Sequence, residues 1–267
     1  MDSERPPLVD IGVNLAHRQL AGDVAGVLAR GREAGVHHVV ATGTSVEGSR
    51  AAAELAAAHR GVYATAGVHP HHAKETDAAT PTSLRALLAR PQVVAVGECG
   101  LDYDRDFSPR PVQRECFAMQ LAIAAETGKP VFLHERSAHA DFVAILAEHR
   151  SSLSAAVIHC FTGTGAELDA YLGMDLHVGI TGWICDERRG LHLRDIVGRI
   201  APSRLLVETD APFLLPRTIR PRPKSRRNEP RYLPHVVETV AEATGRDYAD
   251  VARDSTAAAR AFFGLPD

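Results

Sequence analysis

Short apolar runs recur along the whole chain, and segments with helical spacing separate them. Most runs are apolar at nearly every position, which is typical of strands that are covered on both faces of a parallel sheet. The eight predicted strands are Leu8–Val13, His37–Thr42, Val62–Gly67, Val93–Glu98, Val131–His134, Ala155–His159, Leu176–Ile180 and Arg204–Glu208. The pattern therefore predicts a sheet of eight strands.

Helical spacing marks the segments between these strands and after the last one. In Ser108–Thr127, for example, Val112, Cys116 and Ile123 fall on one face, and Ser108 is the predicted N-cap. The other predicted helices are Asp23–Gly35, Val46–His59, Pro81–Arg90, His139–Arg150, Gly165–Gly173, Gly190–Arg199, Pro230–Thr244 and Tyr248–Phe263. Eight strands that alternate with helices predict an α/β fold, a (β/α)8 TIM barrel.

Composition changes this picture little. The chain has 267 residues, 45% of them hydrophobic and 24% charged, which is typical of a globular protein that buries a sizeable core. No Pro/Ser-rich linker interrupts the sequence, so we expect one domain over 1–267. The formal net charge of −3 gives no general attraction for nucleic acid or membranes, so any polyanion site must be local.

The cysteines and the N-terminus suggest a compartment. The four cysteines form no C-x-x-C pair, and we therefore do not expect a disulfide framework. The N-terminal MDSERPPLVDIG lacks the apolar stretch of a signal peptide, and no apolar run has the length of a transmembrane helix. We expect a cytoplasmic protein without a membrane partner. Nothing marks an interface between copies, so a monomer is the default.

Polar side chains stand where several predicted strands end. Glu98 ends the fourth strand, His134 the fifth and His159 the sixth, and Asp210 follows the eighth. In a β/α barrel, reactive groups lie at the C-terminal ends of the strands. Two imidazoles and two carboxylates form a nitrogen and oxygen set that suits Zn²⁺, Mn²⁺ or Mg²⁺, and such an ion lowers the pKa of a bound water. Asp210 then acts as a ligand, a general base or both.

Each of these residues also has a structural interpretation. A single histidine at a strand end is more often a hydrogen-bonded structural residue, and Glu98 can cap the next helix. Four such residues on four strands are harder to explain in that way. His69 and His71, which follow the third strand, either contact a scissile phosphate or cap their loop, and we weigh both alternatives equally.

A basic loop follows the last strand. In RTIRPRPKSRR, Arg217 to Arg227, six of the eleven residues are basic and none is acidic. Arginine binds phosphate through its bidentate guanidinium, so the loop is a candidate phosphate clamp, and a solvated loop is the alternative. Arg226 and Arg227 are the strongest candidates. Arg188 and Arg189 are secondary ones, because they can instead pair with neighbouring carboxylates.

Several motifs together resemble the TatD family of metal-dependent deoxyribonucleases, within the amidohydrolase-like barrels. The matching stretches are DIGVNL at 10–15, AGVHPH at 66–71, GECGLDY at 97–103, VFLHER at 131–136, IHCFTGT at 158–164, GITGWICDERRG at 179–190, ETDAPFL at 208–214 and KSRRNEPRYLPH at 224–235. The resemblance implies a (β/α)8 TIM barrel of the metallo-dependent hydrolase type, a divalent metal and 3′–5′ exonuclease action on DNA. It also implies Glu98, His134 and His159 as metal ligands, with Asp210 as catalytic acid/base or a further ligand.

One position departs from that family. Most members carry His-x-His after the first strand, whereas this chain has Gly12 and Asn14 there. We therefore expect one firmly bound ion, and a weaker second ion only if substrate phosphate completes its site. Asn14 can offer an amide oxygen to a hard cation or to the substrate. The lack of these imidazoles favours Mg²⁺, with Mn²⁺ or Zn²⁺ as alternatives.

The expected function is hydrolysis of phosphodiester bonds at the 3′ ends of DNA, preferably single-stranded, with RNA as a further possible substrate. Glu98 and Asp210 are the predicted catalytic residues, and the substrate contacts are His69, His71, Arg226, Arg227 and Asn14. Two alternatives stay open at this point. The same barrel can hydrolyse small amides or esters, or the chain can be a nucleic-acid-binding protein with weak catalysis.

Overall fold

The computed structural model describes residues 6–266. Residues 1–5, part of the segment on which the signal-peptide expectation rests, lie outside the described residues. The strands are β1 Leu8–Val13, β2 Val36–Ala41, β3 Val62–Ala66, β4 Val93–Asp102, β5 Val131–Arg136, β6 Ala156–Ile158, β7 His177–Ile180 and β8 Leu205–Val207. Within 6–266, no helix is both long and apolar enough to cross a membrane.

Helices follow the strands as the spacing predicts. They are α1 Val24–Glu33, α2 Val46–Ala58, α3 Thr80–Leu88, α4 Arg110–Thr127, α5 His139–His149, α6 Gly165–Gly173, α7 Leu191–Ile196, α8 Leu233–Thr244 and α9 Tyr248–Phe263. The eight strands form one sheet in the order β1-β2-β3-β4-β5-β6-β7-β8. This order, with a helix in each connection, confirms the predicted (β/α)8 barrel class.

Burial explains why the strands are apolar throughout. Every residue of β1 and of β4 is buried. Strands in parallel β/α architecture are covered on both faces, so alternate positions do not reach water. A carboxylate or imidazole in such a strand is therefore held in a fixed position among apolar neighbours.

The described residues group into two compact units. One comprises the described parts of Met1–Val40, Cys160–Leu168 and Val178–Asp267, and within it α9 packs against β1 and β8. The other comprises Ala41–His159 and Asp169–His177, and within it α4 packs against β4. The expectation of a single domain over the whole chain stays a prediction.

Strand β4 is longer than its sequence predicts. The prediction ended it at Glu98, whereas it continues to Asp102, with a shift in its register to β5 between Gly97 and Cys99. Gly97 and Gly100 have φ of 129° and 145° and allow the backbone of β5 to approach closely. A Cβ on Gly100 would lie 1.9 Å from the His134 carbonyl oxygen, so only glycine fits there.

The predicted cap of α4 is wrong. The helix begins at Arg110, its N-cap position is Pro109, and no side chain caps it. Ser108 is fully buried and its hydroxyl donates to the carbonyl oxygen of His71, 3.0 Å away. The serine therefore ties two loops together, because a buried hydroxyl needs a hydrogen-bond partner that this carbonyl supplies.

Candidate active site

Glu98 lies at the centre of a cluster of three imidazoles. Its Oε1 is 2.9 Å from His134 Nδ1, 3.1 Å from His159 Nε2 and 3.4 Å from His69 Nε2. Glu98 is part of β4, His134 of β5, and His159 directly follows β6. The structure thus brings together three of the four residues that the strand ends predict as ligands, and adds His69.

The electrostatics of this cluster follow from burial and pairing. Burial by itself raises the pKa of Glu98, but the charges of His159 and His69 and hydrogen bonds from the imidazoles hold that pKa well below its usual range. Burial lowers the pKa of His69 to about 4, although the charge of Glu98 opposes it. At neutral pH the carboxylate is therefore ionised and the His69 ring is neutral, the forms in which both groups bind metals.

Asp102 is a site residue that the sequence analysis missed. It lies four positions after Glu98 on β4, and its Oδ2 is 2.8 Å from His71 Nε2 and 3.3 Å from His134 Nε2. Burial raises its pKa, but hydrogen bonds from His134 and His71 outweigh this and hold the pKa far below its usual range. The available signal was the second carboxylate in ECGLD, which lies beyond Glu98, the residue at which the predicted strand ended.

His134 connects the two carboxylates. Its Nδ1 contacts Glu98 and its Nε2 contacts Asp102. Burial lowers the pKa of His134, but the hydrogen bonds to Asp102 and Glu98 prevail and raise it. The ring is thus held at both nitrogens, which fixes its orientation in the cluster.

These residues fit a divalent cation. One ligand atom each from His69, Glu98 and His134 lie within 4.8 Å of one another. Imidazole nitrogens and a carboxylate oxygen together form a ligand set that binds Zn²⁺ and Mn²⁺ readily. Mg²⁺ would bind mainly through the carboxylate oxygen. His69, which we expected only to contact substrate, therefore also stands among the possible ligands.

Asp210 occupies the turn after β8, in the unit that contains β1. Its backbone has φ 53°, a left-handed conformation that aspartate and asparagine tolerate better than most residues. Its amide donates to the carbonyl oxygen of Gly12, and the Asn14 side-chain amide donates to Asp210 Oδ1 at 3.0 Å. Gly12 and Asn14, where most of the family carries histidines, thus hold the aspartate.

Buried polar groups support the same turn. The Thr209 hydroxyl donates to Asp10 Oδ2 at 2.6 Å, and the Asn228 side chain donates to the Thr209 carbonyl oxygen at 2.9 Å. Burial raises the pKa of Asp10 to about 8, although hydrogen bonds from Thr209 oppose the shift. Asp10 and Asn228 position the neighbour of Asp210, and their signal was their place in the DIGVNL and SRRNEP motifs.

Some basic side chains in the region of the basic loop pair with carboxylates, and others do not. Arg217 pairs with Glu187 at 2.9 Å, Arg227 pairs with buried Glu229 at 2.5 Å, and Arg188 and Arg189 pair with Asp186. In the described part of the chain, no hydrogen bond or ion pair holds the exposed side chains of Arg222, Lys224 and Arg226. The loop thus leaves Arg226 available to an anion, whereas Arg227 already has a carboxylate partner.

The barrel fold and the imidazole and carboxylate cluster define a metal-dependent hydrolase. The profile of the TatD related DNase family matches residues 9–264, almost the whole chain. The chain belongs to this family, as the motifs of its sequence indicate.

Curated relatives match over nearly their full length. The chain is 53% identical over 259 residues to the 3′-5′ ssDNA/RNA exonuclease TatD of Erwinia amylovora, covering 97% of this chain and 100% of that protein. It is 47% identical over 258 residues to the protein of the same name from Klebsiella pneumoniae, covering 97% and 98%.

Solved structures agree on the fold. YJJV, a TatD homologue from Escherichia coli, superposes with a TM-score of 0.88 at 26% identity, covering 97% of this chain and 98% of that one. A TatD family hydrolase from Entamoeba histolytica also gives 0.88, at 22% identity, covering 98% and 99%. The second match supports the fold alone.

Proposed function

We propose that this chain is a metal-dependent 3′–5′ exonuclease that hydrolyses phosphodiester bonds of single-stranded DNA and RNA. The observation that carries the proposal is the Glu98 carboxylate with three imidazole nitrogens within 3.4 Å of its Oε1. Membership of the family and the names of the curated relatives support the substrate class.

The proposed roles of the residues follow from their places. Glu98, His134 and His159 hold the divalent ion, which when bound lowers the pKa of a water molecule and polarises the phosphate. Asp210 moves the proton of the attacking water as general acid/base or completes the metal site. His69 and His71 contact the scissile phosphate, and Asn14 orients Asp210 and the substrate.

The identity of the ion is part of the proposal. Mg²⁺ stays our prediction, on the ground that Gly12 and Asn14 supply no imidazole. The nitrogen-rich surroundings of Glu98 count in favour of Mn²⁺ or Zn²⁺, because imidazole suits these ions better. A cytoplasmic location and a monomeric state also stay predictions.

The direct test measures nucleotide release from single-stranded DNA labelled at the 3′ or the 5′ end, with EDTA, Mg²⁺, Mn²⁺ or Zn²⁺. We expect stepwise loss from the 3′ end with at least one ion and none with EDTA. His134→Ala should abolish it, because the ring contacts both Glu98 and Asp102. Two results would overturn the proposal. Hydrolysis of small esters or amides without nucleotide release would favour a small-molecule hydrolase, and nucleic-acid binding without any turnover would favour a binding protein.

A second prediction separates the two adjacent arginines of the basic loop. Arg226→Ala should make the dependence of single-strand affinity on salt shallower, by about 0.7 in the slope of log K against log salt, because one phosphate contact is lost. Arg227→Ala should leave the slope nearly unchanged and lower thermal stability, because Arg227 pairs with buried Glu229. The double variant should repeat the slope of Arg226→Ala. Binding titrations between about 50 and 200 mM salt measure it, and an unchanged slope in all three would remove this loop from the binding site.

A further inference from the structure

Phe107 is an apolar side chain that the fold leaves in water. Among residues 6–266, the exposed large apolar side chains are Phe107 at 55%, Leu191 at 53% and Phe213 at 45%. Single exposed apolar residues are common on protein surfaces, so exposure alone does not indicate a function. The position of the Phe107 ring does indicate one.

The ring of Phe107 lies beside the candidate active site. Its centroid is 4.7 Å from the centroid of the His71 ring, at an interplanar angle of 57°. His71 is hydrogen-bonded to Asp102, which also contacts His134. An aromatic face that stands next to these groups and remains half open to water is available to a flat apolar ligand.

The backbone around Phe107 is held firmly. On one side, Asp106 has φ 48° and pairs with Arg110 at 2.7 Å. On the other side, the hydroxyl of buried Ser108 donates to the His71 carbonyl oxygen and accepts from the Lys74 amide. The phenylalanine is therefore presented between two fixed neighbours.

Gln113 links this support to the active-site strand. Its fully buried side-chain amide donates to the Ser108 carbonyl oxygen at 2.8 Å and to the Asp102 carbonyl oxygen at 3.1 Å. Its side-chain oxygen accepts from the Asp102 amide at 2.9 Å. Phe107 thus has a defined position relative to Asp102, which lowers the entropic cost of binding a ligand there.

We infer that Phe107 is a stacking platform for an unpaired base that flanks the scissile phosphate. The inference rests on the proposed function and deepens it by naming a residue that selects single strands. Aromatic side chains bind bases of any sequence through their faces, and a base stacks freely only when it is not paired in a duplex. His71 at the phosphate and Phe107 at the base would then recognise adjacent parts of one nucleotide.

The test is a double-mutant cycle between the protein and the substrate. We expect Phe107→Ala to lower kcat/KM for release from an intact single-stranded 3′ end by about tenfold, chiefly through KM. On a substrate made abasic at the flanking nucleotide, terminal or penultimate, the same substitution should have almost no further effect. Phe107→Tyr should restore the intact-substrate value, and Phe107→Leu should not, because leucine keeps the apolar volume without an aromatic face.

Leu191→Ala is the matched control, since it removes an equally exposed apolar side chain, and it should leave both substrates unaffected. A loss in Phe107→Ala that is equal on intact and abasic substrates would mean that the ring only supports His71. No loss on the intact substrate would also overturn the inference.

A second readout does not depend on turnover. Single strands that carry 2-aminopurine at the terminal or penultimate position lose fluorescence when the base stacks on an aromatic ring. In EDTA, wild-type protein and Phe107→Tyr should quench one of the two probes, and Phe107→Ala should not. Equal quenching by Phe107→Ala, or none by wild type, would contradict stacking. Absence of 3′-end release with every ion, together with Phe107-dependent quenching, would reject the proposed function and retain only the stacking of an unpaired base on Phe107.

Discussion

Replacing Glu98 by glutamine is expected to lower kcat/KM for 3′-end release by at least about 10³-fold. Glutamine has nearly the shape of glutamate but carries no charge. The imidazoles of His134, His159 and His69 would then share a site without the carboxylate that lies within 3.4 Å of each. A divalent ion would lose the Glu98 carboxylate as a ligand and would bind much more weakly. Little of the protein would then carry the ion that activates the water.

The same variant should lose stabilisation by metal. A ligand that binds only the folded state at about 100 times its Kd adds about 2.7 kcal/mol, or on the order of 5–10 °C in Tm for a chain of this size. We expect this rise in wild type with the activating ion and no rise in Glu98→Gln. The matched control is Glu126→Gln, an exposed glutamate that pairs with Arg85. A Glu98→Gln protein that still melts higher with metal and still degrades DNA would show that the metal site lies elsewhere.

Asp210→Asn is expected to lower kcat by about 10²- to 10⁴-fold while KM and the rise in Tm with metal stay close to wild type. Asparagine tolerates the left-handed backbone at φ 53° and keeps a hydrogen-bonding side chain beside Asn14. It cannot accept a proton at neutral pH. The variant therefore removes the proton acceptor at position 210 and keeps the backbone conformation of the turn.

Asp175→Asn makes a matched control for this backbone. Asp175 also has a left-handed conformation, φ 64°, and pairs with Arg150. Its substitution should change neither kcat nor the response to metal. If Asp210→Asn instead loses the rise in Tm along with kcat, Asp210 is a metal ligand, and the acid/base role falls to another group. Full activity in Asp210→Asn would exclude both roles.

The strands and the cluster residues on them were accessible to sequence reasoning. Apolar runs such as Val131–Leu133 mark buried strands because each residue of a covered strand must be apolar, whatever the neighbouring strand contributes. A polar residue at the end of such a run, as at His134 or His159, therefore indicates a side chain kept for another purpose. These signals are local, and the structure confirms the fold that they predict.

Asp102 and the carboxylate partner of Arg227 show what such reasoning missed. Strand β4 continues through Gly97 and Gly100 with a shifted register, and Asp102 at its end pairs with His71 and His134. The two glycines by themselves do not indicate this continuation. Arg227 was a candidate for phosphate, and the structure pairs it with buried Glu229, which also binds Arg30 from a distant part of the chain. Pairings of this kind depend on which charges the fold buries together.

The sequence by itself determined the order of strands and helices, the family, and the identity of Glu98, His134, His159 and Asp210 as the residues to examine. It could do so because burial and motif spacing are properties of consecutive residues. The tertiary structure alone decided the pairing of Asp102 with two histidines, the division of the basic loop into paired and unpaired cations, and the exposure of Phe107. These depend on strand register and on contacts between residues far apart in the chain, where the free energy of a side chain is set by neighbours that its own segment does not specify.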